Sequence, residues 1–280
     1  GPVTLEVEDA QLESVIQRLP KGVQSLVAPE RRIRMRVPAH DMLLGALRLV
    51  AGPLVMSGAR RATDPDTITG KEVVQRLGND IDLVLDEGKS RFGQRSSLVR
   101  INGNQLEVLR SGVISEANLK RLASWMVVVV CTGNTCRSPM AEAMLRKRLA
   151  DKLGATPEEL EDRGVLVLSA GIAAAPGGRA AAEAITIMHE RGLDLNQHES
   201  QPLSDRLVRY ADLIITMTRG HREAIVSHWP EAAARTFTLS HNRGDVADPI
   251  GGPPDLYRKC AEQIDAHLAE WVNEIDLDQP

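Results

Sequence analysis

A short run of β-branched apolar residues stands at the centre of the pattern along this chain. Val127 to Val130 form the run, and it stops at Cys131. Such a run predicts a strand buried on both faces, as in a parallel sheet. Ser138 and Pro139 follow, as N-cap and first helical residue of a helix predicted over 140–149. The order strand, tight loop, helix places Cys131 at the carboxyl end of the strand.

The residues after 149 alternate between strand-like and helix-like spacing of apolar positions. Further strands are predicted over 164–169, 211–217 and 236–239, and further helices over 179–191, 219–229 and 255–272. Strands that alternate with helices predict an α/β fold with a four-stranded, parallel, doubly wound sheet. Ligands of such sheets bind beyond the carboxyl ends of the strands, which is where Cys131 lies.

The first 125 residues show strands and helices in a less regular order. Strands are predicted over 3–7, 31–38, 54–56, 81–85, 97–101 and 106–109. Helices are predicted over 12–19, 41–51 with Asp41 as cap, 71–77 and 115–125, and Asn102-Gly103-Asn104 predicts a hairpin turn. These elements predict an α+β domain over residues 1–115, a linker over 116–125 and the α/β domain over 126–280.

Composition adds limits to this picture. A length of 280 residues allows two domains, and an aromatic content of 2% predicts cores built from aliphatic side chains. No apolar run is long enough to span a bilayer, so no membrane contact is expected. Three cysteines, two of them in one loop, argue against a disulfide framework and for a reducing, cytoplasmic location. Because the chain lacks an initiating methionine, we expect it to be cut from something longer.

The segment from Cys131 to Ser138 has the residue types of a phosphate-binding loop. Its backbone N–H groups can form a nest for a tetrahedral oxyanion, with Gly133 supplying unusual dihedral angles and Asn134 tolerating left-handed backbone. Arg137 offers a planar fork for two phosphate oxygens. The helix N-terminus and the Ser138 hydroxyl favour the Cys131 thiolate. The candidate phosphate-binding residues are Thr132, Gly133, Asn134, Thr135, Cys136, Arg137 and Ser138.

Expulsion of a leaving group from a phosphate ester requires a proton donor. Asp248 is the candidate, and Pro249 limits the freedom of the backbone after it. The predicted cycle begins with attack of the Cys131 thiolate on phosphorus and ends with hydrolysis of the phosphocysteine, with Asp248 as acid and then as base. Arg137 and the loop amides stabilise the equatorial oxygens. The alternative for Asp248 is an ordinary Asp-Pro turn.

The sequence CTGNTCRSPMAEAML, which begins at Cys131, resembles the signature of the low-molecular-weight protein phosphatase family. Ser169-Ala170-Gly171 and Asp248-Pro249 stand at the places that the family expects. The resemblance covers about 126–280 and implies a phosphatase I-like sheet, a phosphorylated protein as substrate, and neither metal nor cofactor. It also implies catalytic roles for Cys131, Arg137 and Asp248, with support from Asn134 and Ser169. The alternative is a buried strand-end cysteine in another α/β domain.

Two features bear on the substrate within this resemblance. The segment Asp248-Pro249-Ile250-Gly251-Gly252 contains no aromatic ring, whereas members that act on phosphotyrosine usually carry rings there to stack on the phenyl group. Thr135 stands where those members often have isoleucine, unless it is an ordinary loop residue. Both features resemble the protein-arginine phosphatase branch, so we expect phosphoarginine as substrate with Thr135 as specificity residue. A low-molecular-weight protein-tyrosine phosphatase is the alternative.

The remaining cysteines and the histidines carry weaker signals. Cys136 is close enough to Cys131 in sequence to form a reversible disulfide, and a role as buried filler is equally open. Cys260 is expected in the core of the last helix, which does not fit the cysteine relay of an arsenate reductase. The seven histidines show no metal-ligand spacing, so structural roles are expected and no metal site is predicted.

The first 115 residues resemble the later part of the threonylcarbamoyl-adenylate synthase family, with its YrdC/Sua5-like fold. The matching segments are Gly1-Pro2-Val3-Thr4-Leu5, Arg36-Val37-Pro38 with His40, Gly52-Pro53-Leu54, 82–88, Gly93 with Ser96-Ser97, and 109–114. The family's amino-terminal portion, whose Lys-Arg segment contacts ATP phosphates, has no counterpart in this chain. Its Ser-Ala-Asn triplet appears as Ser57-Gly58-Ala59, so an incomplete domain is expected and adenylate formation is not.

This second resemblance implies contact with a nucleotide or RNA phosphate, double-stranded RNA included, by Arg36, Ser57 and Arg110. Residues 1–125 carry 18 Lys and Arg against 15 Asp and Glu, which is compatible with such contact. Ordinary surface and strand roles for the three residues are favoured. In the rival interpretation of the whole chain, the first domain binds RNA or nucleotide and the loop after Cys131 binds anions without catalysis.

Overall fold

The computed structural model describes residues 1–10, 14–50, 52, 54–61, 63–103, 105–241 and 243–276. The chain divides into two compact units, Gly1–Leu122 and Ala123–Pro280, which we call unit 1 and unit 2.

Unit 1 is built on a mixed four-stranded sheet. Its strands are β1 (Val3–Glu8), β2 (Arg32–Met35), β3 (Ser97–Asn102) and β4 (Gln105–Arg110), in the order β2-β1-β3-β4. β1 is antiparallel to β2 and parallel to β3, and β4 is antiparallel to β3. The helices are α1 (Lys21–Val27), α2 (Asp41–Leu49), α3 (Gly70–Leu77) and α4 (Glu116–Ala123). The α+β class predicted for this part of the chain is confirmed.

Several elements of unit 1 differ from the sequence prediction. Residues 54–56 and 81–85, predicted as strands, form no regular secondary structure, and side chains such as Val55 and Leu83 are exposed. An isolated apolar segment cannot remain a strand without a neighbour that accepts its backbone hydrogen bonds. α2 ends at Leu49 with His40 at its N-cap position, so Asp41 lies in the first turn and is not the cap.

Parts of four predictions lie outside the described residues. Residues 12 and 13 of the helix predicted over 12–19 are among them, and the described remainder forms a single 3-10 turn, Val15–Arg18. Residue 51 of the helix predicted over 41–51, Pro53 of the matching segment Gly52-Pro53-Leu54 and Asn104 of the predicted hairpin turn are also outside.

Unit 2 is built on four parallel strands. They are β5 (Trp125–Cys131), β6 (Val165–Gly171), β7 (Leu213–Thr216) and β8 (Thr236–Thr238), in the order β6-β5-β7-β8. The helices are α5 (Arg137–Leu153), α6 (Ala182–Glu190), α7 (Asp205–Tyr210), α8 (Arg219–His228) and α9 (Pro254–Glu274). The predicted four-stranded, parallel, doubly wound α/β fold is confirmed.

Alternate side chains of β5 enter two different core layers. Val127 and Val129 pack with apolar residues of α5, α6 and α9, whereas Val128 and Val130 pack with residues of α7 and α8. All four valines are fully buried. A strand covered by helices on both faces needs an unbroken apolar sequence, which explains the valine run. The two layers hold Cys131 at the carboxyl edge of the sheet.

Three local predictions for unit 2 are corrected. α5 begins at Arg137 with Cys136 at its N-cap position, so Ser138 is not the N-cap and Pro139 is not the first helical residue. Trp125, predicted as the end of a helix, is the first residue of β5. α7 was not predicted, and the Ser204 side chain caps it by accepting from Leu207 N at 3.3 Å. Within the described ranges, no helix combines the length and apolar character needed to cross a bilayer.

Candidate active site

Three segments meet at the carboxyl edge of the sheet in unit 2. The 131–138 loop (Cys131 to Ser138) connects β5 to α5. The ends of β6 and β7 flank it, because Cys131 is in register with Gly171 and Val130 with Thr216. A Cβ atom on Gly171 would lie 2.5 Å from Thr132 O and 2.9 Å from Asn134 N. The glycine of the Ser-Ala-Gly motif is therefore needed where the loop passes close to β6.

Five carbonyl groups of the 131–138 loop accept hydrogen bonds from residues outside the loop. The donors are Ile172 N to Cys131 O at 3.0 Å, Ala173 N to Thr132 O at 3.0 Å, His198 Nε2 to Asn134 O at 2.8 Å, Ala181 N to Thr135 O at 2.9 Å and Met140 N to Cys136 O at 3.3 Å. In a trans peptide the next N–H points away from the carbonyl. The amides of residues 132, 133, 135, 136 and 137 therefore face inward, an arrangement that can bind a tetrahedral anion.

Asn134 organises the interior of the loop. Its backbone is left-handed with φ 55°, and its side chain is fully buried. Its Nδ2 donates to Ser138 Oγ at 2.9 Å and to Ser169 Oγ at 2.8 Å, and its Oδ1 accepts from Gln201 N at 2.9 Å. Gly133 was expected to supply the unusual dihedral angles. It has no positive φ, so Asn134 alone provides the left-handed residue of the loop.

The sulfur of Cys131 has two hydrogen-bonding neighbours. Asn134 N donates to Sγ at 3.2 Å, and Ser138 Oγ lies 3.0 Å from Sγ. Since Ser138 Oγ already accepts from Asn134 Nδ2, its own proton is available to Cys131 or to Ala170 O at 3.3 Å. Both contacts can stabilise a thiolate. Cys131 is 3% exposed, so the anion would be shielded from bulk water.

Ser169 links this network to a carboxylate. Its hydroxyl donates to Glu142 Oε2 at 2.5 Å, which leaves its oxygen to accept from Asn134 Nδ2. Burial raises the pKa of Glu142, and the hydrogen bond from Ser169 opposes this shift. The orientation of the Asn134 amide is thus set by Glu142 through Ser169.

Arg137 joins the loop to the segment that carries the candidate acid. Arg137 is 4% exposed. Its Nη1 donates to Val246 O at 3.1 Å, and its Nη2 donates to Thr132 Oγ1 at 3.3 Å and to Asp248 Oδ2. Arg137 Nε is buried and has no acceptor among the described residues. Asp248 is 38% exposed and also accepts from Ile250 N at 3.2 Å. The structure therefore brings Cys131, Arg137 and Asp248 to one site.

The other two cysteines are Cys136, within the 131–138 loop, and Cys260, on α9. Cys136 is buried, with Sγ 3.5 Å from Tyr257 OH and 3.6 Å from Thr135 Oγ1. Burial and Cys136 raise the pKa of Tyr257. Cys260 donates to Ala247 O at 3.7 Å, and burial raises its pKa to about 12, as expected for a core thiol. All three cysteines are free thiols.

Sequence reasoning missed several side chains of the site. The side chains of Glu142 and His198 contact the loop network, and Gln201 Nε2 donates to Ser169 O at 2.9 Å. His221 Nε2 lies 2.9 Å from Thr132 Oγ1. His221 stands five residues after the end of β7. Because ligands of such sheets bind at the carboxyl ends of the strands, this position could have identified His221 as a candidate site residue. The described residues contain no group of three or more His, Cys, Asp or Glu side chains that could hold a metal ion.

The three residues singled out in unit 1 are not joined by hydrogen bonds to one another. Arg36 Nε donates to Gly1 O at 2.9 Å, and Ser57 is exposed in a segment without regular structure. Arg110 is half-buried and donates to Ser96 O at 3.1 and 3.2 Å. Burial lowers the pKa of Arg110, and Arg95 and Arg34 lower it further.

An inward-facing amide loop, a shielded cysteine and an arginine paired with an aspartate define a phosphate-handling site on a doubly wound sheet. Residues 126–280 match the family model for low molecular weight phosphotyrosine protein phosphatase. The chain belongs to this family, which confirms the resemblance and the expectation of a protein phosphatase of the low-molecular-weight type. Residues 3–112 match the Sua5/YciO/YrdC model, described as telomere recombination, in agreement with the second resemblance.

Individual relatives resemble unit 2. A protein-arginine-phosphatase of Bacillus subtilis is 36% identical over 157 residues, 55% of this chain and 98% of that protein. A protein-arginine-phosphatase of Geobacillus stearothermophilus is 36% identical over 159 residues, 55% of this chain and 99% of that protein. A probable low molecular weight protein-tyrosine-phosphatase of Ralstonia nicotianae is 35% identical over 150 residues, 53% of this chain and 94% of that protein.

Proposed function

We propose that unit 2 hydrolyses phosphoarginine in proteins through a phosphocysteine intermediate. The observation that carries this choice is a pair of side chains, one in the 131–138 loop and one two positions after the candidate acid. Thr135 places a hydroxyl in the loop, and the residue two positions after Asp248 is Ile250, an aliphatic side chain that is 66% exposed. A phenyl ring would find no ring to stack on there. Similarity to two protein-arginine-phosphatases supports the same choice.

In the proposed reaction, the Cys131 thiolate attacks phosphorus and the P–N bond breaks. After the phosphoryl group has displaced Asp248 from Arg137, Asp248 acts in its protonated form and gives its proton to the leaving guanidine nitrogen. A water molecule then attacks the phosphocysteine, Asp248 takes the proton of that water, and the S–P bond breaks to release inorganic phosphate. Arg137 and the inward-facing amides of the 131–138 loop stabilise the equatorial oxygens in both steps.

Comparison of two phosphopeptides tests the substrate. We expect a larger kcat/KM for a phosphoarginine peptide than for the matched phosphotyrosine peptide. T135I should shift the ratio toward phosphotyrosine by about tenfold, the usual worth of one hydrogen bond to a charged group, whereas T135S should keep the wild-type ratio. A preference for phosphotyrosine in the wild type would identify a tyrosine phosphatase. An unchanged ratio in T135I would remove Thr135 as the specificity residue.

For the whole chain, we propose the division into a YrdC-like domain over 1–115, a linker over 116–125 and the phosphatase domain over 126–280. We also propose that the protein works in the cytoplasm, where its thiols stay reduced.

For the first domain, we propose contact with nucleotide or RNA phosphate. A cluster of four arginines that includes Arg110 supports anion binding. Arg34, Arg60 and Arg95 affect the pKa of Arg110; Arg34 pairs with Glu6, and Arg60 and Arg95 share Asp66. A rise in melting temperature with ATP or double-stranded RNA, reduced in R110Q, tests this contact. No rise with either ligand would exclude it.

A further inference from the structure

One buried histidine of unit 2 has a position that the proposed reaction does not yet use. β7 lies beside β5 in the sheet, and α8 begins three residues after β7 ends. His221 lies in the first turn of α8, where its backbone N–H donates to the capping Thr218 Oγ1 at 3.1 Å. The strand order therefore places the imidazole at the carboxyl edge of the sheet, where Nε2 lies 2.9 Å from Thr132 Oγ1.

The charge of this imidazole is set by its surroundings. His221 is 6% exposed, and burial is the largest cause that lowers its pKa, followed by the neighbouring Arg137, to about 4. Asp248 and Asp245 oppose the shift without overcoming it. The ring is therefore neutral at pH 7 and carries one N–H.

The neighbours of the ring indicate which nitrogen holds that proton. His221 Nδ1 is buried and has no partner among the described residues. A proton on Nδ1 would be a buried donor without an acceptor, and buried N–H groups of that kind are rare. A proton on Nε2 has an acceptor in Thr132 Oγ1 at 2.9 Å. The Nε2–H form is the one that fits the site.

This assignment determines the direction of the Thr132 hydroxyl. Arg137 Nη2 can only donate, so Thr132 Oγ1 accepts from it at 3.3 Å. With His221 Nε2–H as second donor, both lone pairs of the oxygen are used. The hydroxyl proton of Thr132 must then point to a third partner. Thr132 is an exposed residue of the loop, so that proton is accessible to a bound molecule.

We propose that His221 is a positioning residue, whose Nε2–H fixes Thr132 Oγ1 beside Arg137 so that the Thr132 hydroxyl donates to the bound phosphoryl group. The proposal rests on the proposed function only in taking a phosphoryl group as the ligand of the 131–138 loop. It adds a side-chain donor to the backbone amides and to Arg137. It also restrains Arg137 Nη2, the nitrogen shared with Asp248.

A double-mutant cycle tests the path from His221 through Thr132. H221L removes the donor and retains an apolar side chain of similar size, and T132V removes the hydroxyl while it keeps the branched shape. Each should lower kcat/KM and the affinity for inorganic phosphate about tenfold, the usual effect of one lost hydrogen bond to a charged ligand. Because both act on one hydrogen bond, the double variant should also lose about tenfold. A loss of about a hundredfold in the double variant would show independent roles and would overturn the proposal.

Two further measurements separate positioning from mere support of the fold. H221Q carries an amide N–H in place of Nε2–H and should restore most of the phosphate affinity, while H228L, at an exposed histidine of the same helix, should behave as wild type. The ¹⁵N shifts of the His221 ring should report a proton on Nε2, and a proton on Nδ1 would contradict the proposal.

Calorimetry with inorganic phosphate needs no turnover, so it tests His221 even if neither phosphopeptide is hydrolysed. Wild-type phosphate affinity in folded H221L would reject the role. Should H221L fail to fold, T132V and H221Q still decide, because equal phosphate affinity in T132V and wild type would reject the donated hydrogen bond.

Discussion

Arg137 Nη2 donates a hydrogen bond to Asp248 Oδ2, so the candidate phosphate-binding cation and the candidate proton donor form an ion pair. The arginine is 5% exposed in its side chain and the aspartate 38%. A phosphoryl group that enters the 131–138 loop must therefore compete with Asp248 for one guanidinium nitrogen. Arg137 Nε, which is buried without an acceptor among the described residues, is the second nitrogen of the fork that it can offer.

Removal of the Asp248 charge should separate binding from catalysis. D248N should lower kcat about 10²- to 10⁴-fold, because general acid–base catalysis has that usual worth. It should bind inorganic phosphate more tightly than wild type, because an amide competes less well than a carboxylate for Arg137. Steady-state kinetics and calorimetry measure the two effects. D245N alters a nearby carboxylate that accepts from Arg219 N at 2.9 Å, and it should retain wild-type kcat. Weaker phosphate binding in D248N would contradict the competition.

Loss of the Cys131 sulfur should abolish turnover. C131S replaces the thiolate by a hydroxyl that stays protonated at neutral pH, and we expect kcat to fall at least about 10³-fold on any phosphopeptide. Phosphate binding should persist, because the inward-facing amides and Arg137 are unchanged. C260S, at a thiol bonded to Ala247 O, should keep kcat within about twofold. Substantial activity in C131S would end the account of a phosphocysteine intermediate.

Two substitutions at Asn134 should separate its backbone role from its side-chain role. N134G keeps the left-handed backbone but loses the hydrogen bonds to Ser138, Ser169 and Gln201, which should lower the free energy of unfolding by about 1–3 kcal/mol. N134A loses the same bonds and adds about 1 kcal/mol of backbone strain at φ 55°. Urea unfolding of unit 2 measures both. Equal stability of the two variants would mean that the positive φ relaxes when the side chain is removed.

The buried His221 should make the free energy of unfolding depend on pH. Its pKa is about 4 in the folded chain against 6.5 in the unfolded one, so the unfolded state binds more protons between these values. The free energy of unfolding should rise with pH across this window, by at most about 1.4 kcal/mol per pH unit, and His221 should contribute no slope above it. Urea titrations of wild type and H221Q from pH 4 to 8 test this; a slope that persists unchanged in H221Q would refute it.

Most of unit 2 follows from short-range patterns. Four valines in a row, short and β-branched, predict a strand buried on both faces, and the alternation of strands and helices around it predicts a parallel doubly wound sheet. The loop after that strand carries its chemistry in consecutive residues. For this reason the sequence alone predicts that Cys131, Asn134 and Arg137 lie in one phosphate-binding loop.

Other features could not be read in this way. Residues 54–56 and 81–85 have strand-like sequences, but the described sheet of unit 1 provides no partner for them. Ser138 is a residue type that often serves as an N-cap, yet α5 starts at Arg137. The hydroxyl of Ser138 instead lies 3.0 Å from Cys131 Sγ. Local propensity cannot decide between two roles when a tertiary partner offers the better hydrogen bond.

By itself, the sequence determined the class of fold of unit 2, the position of Cys131 at a strand end and the chemical types in the loop, because periodicity and consecutive spacing are local properties. The sequence also named Asp248 as the candidate acid. Only the tertiary structure decided which distant side chains contact one another in the site: Glu142 with Ser169, Asp248 with Arg137 and His221 with Thr132. These pairs are 27, 111 and 89 residues apart. The contacts depend on the spatial order of the strands in the sheet, β6-β5-β7-β8, which no local pattern encodes.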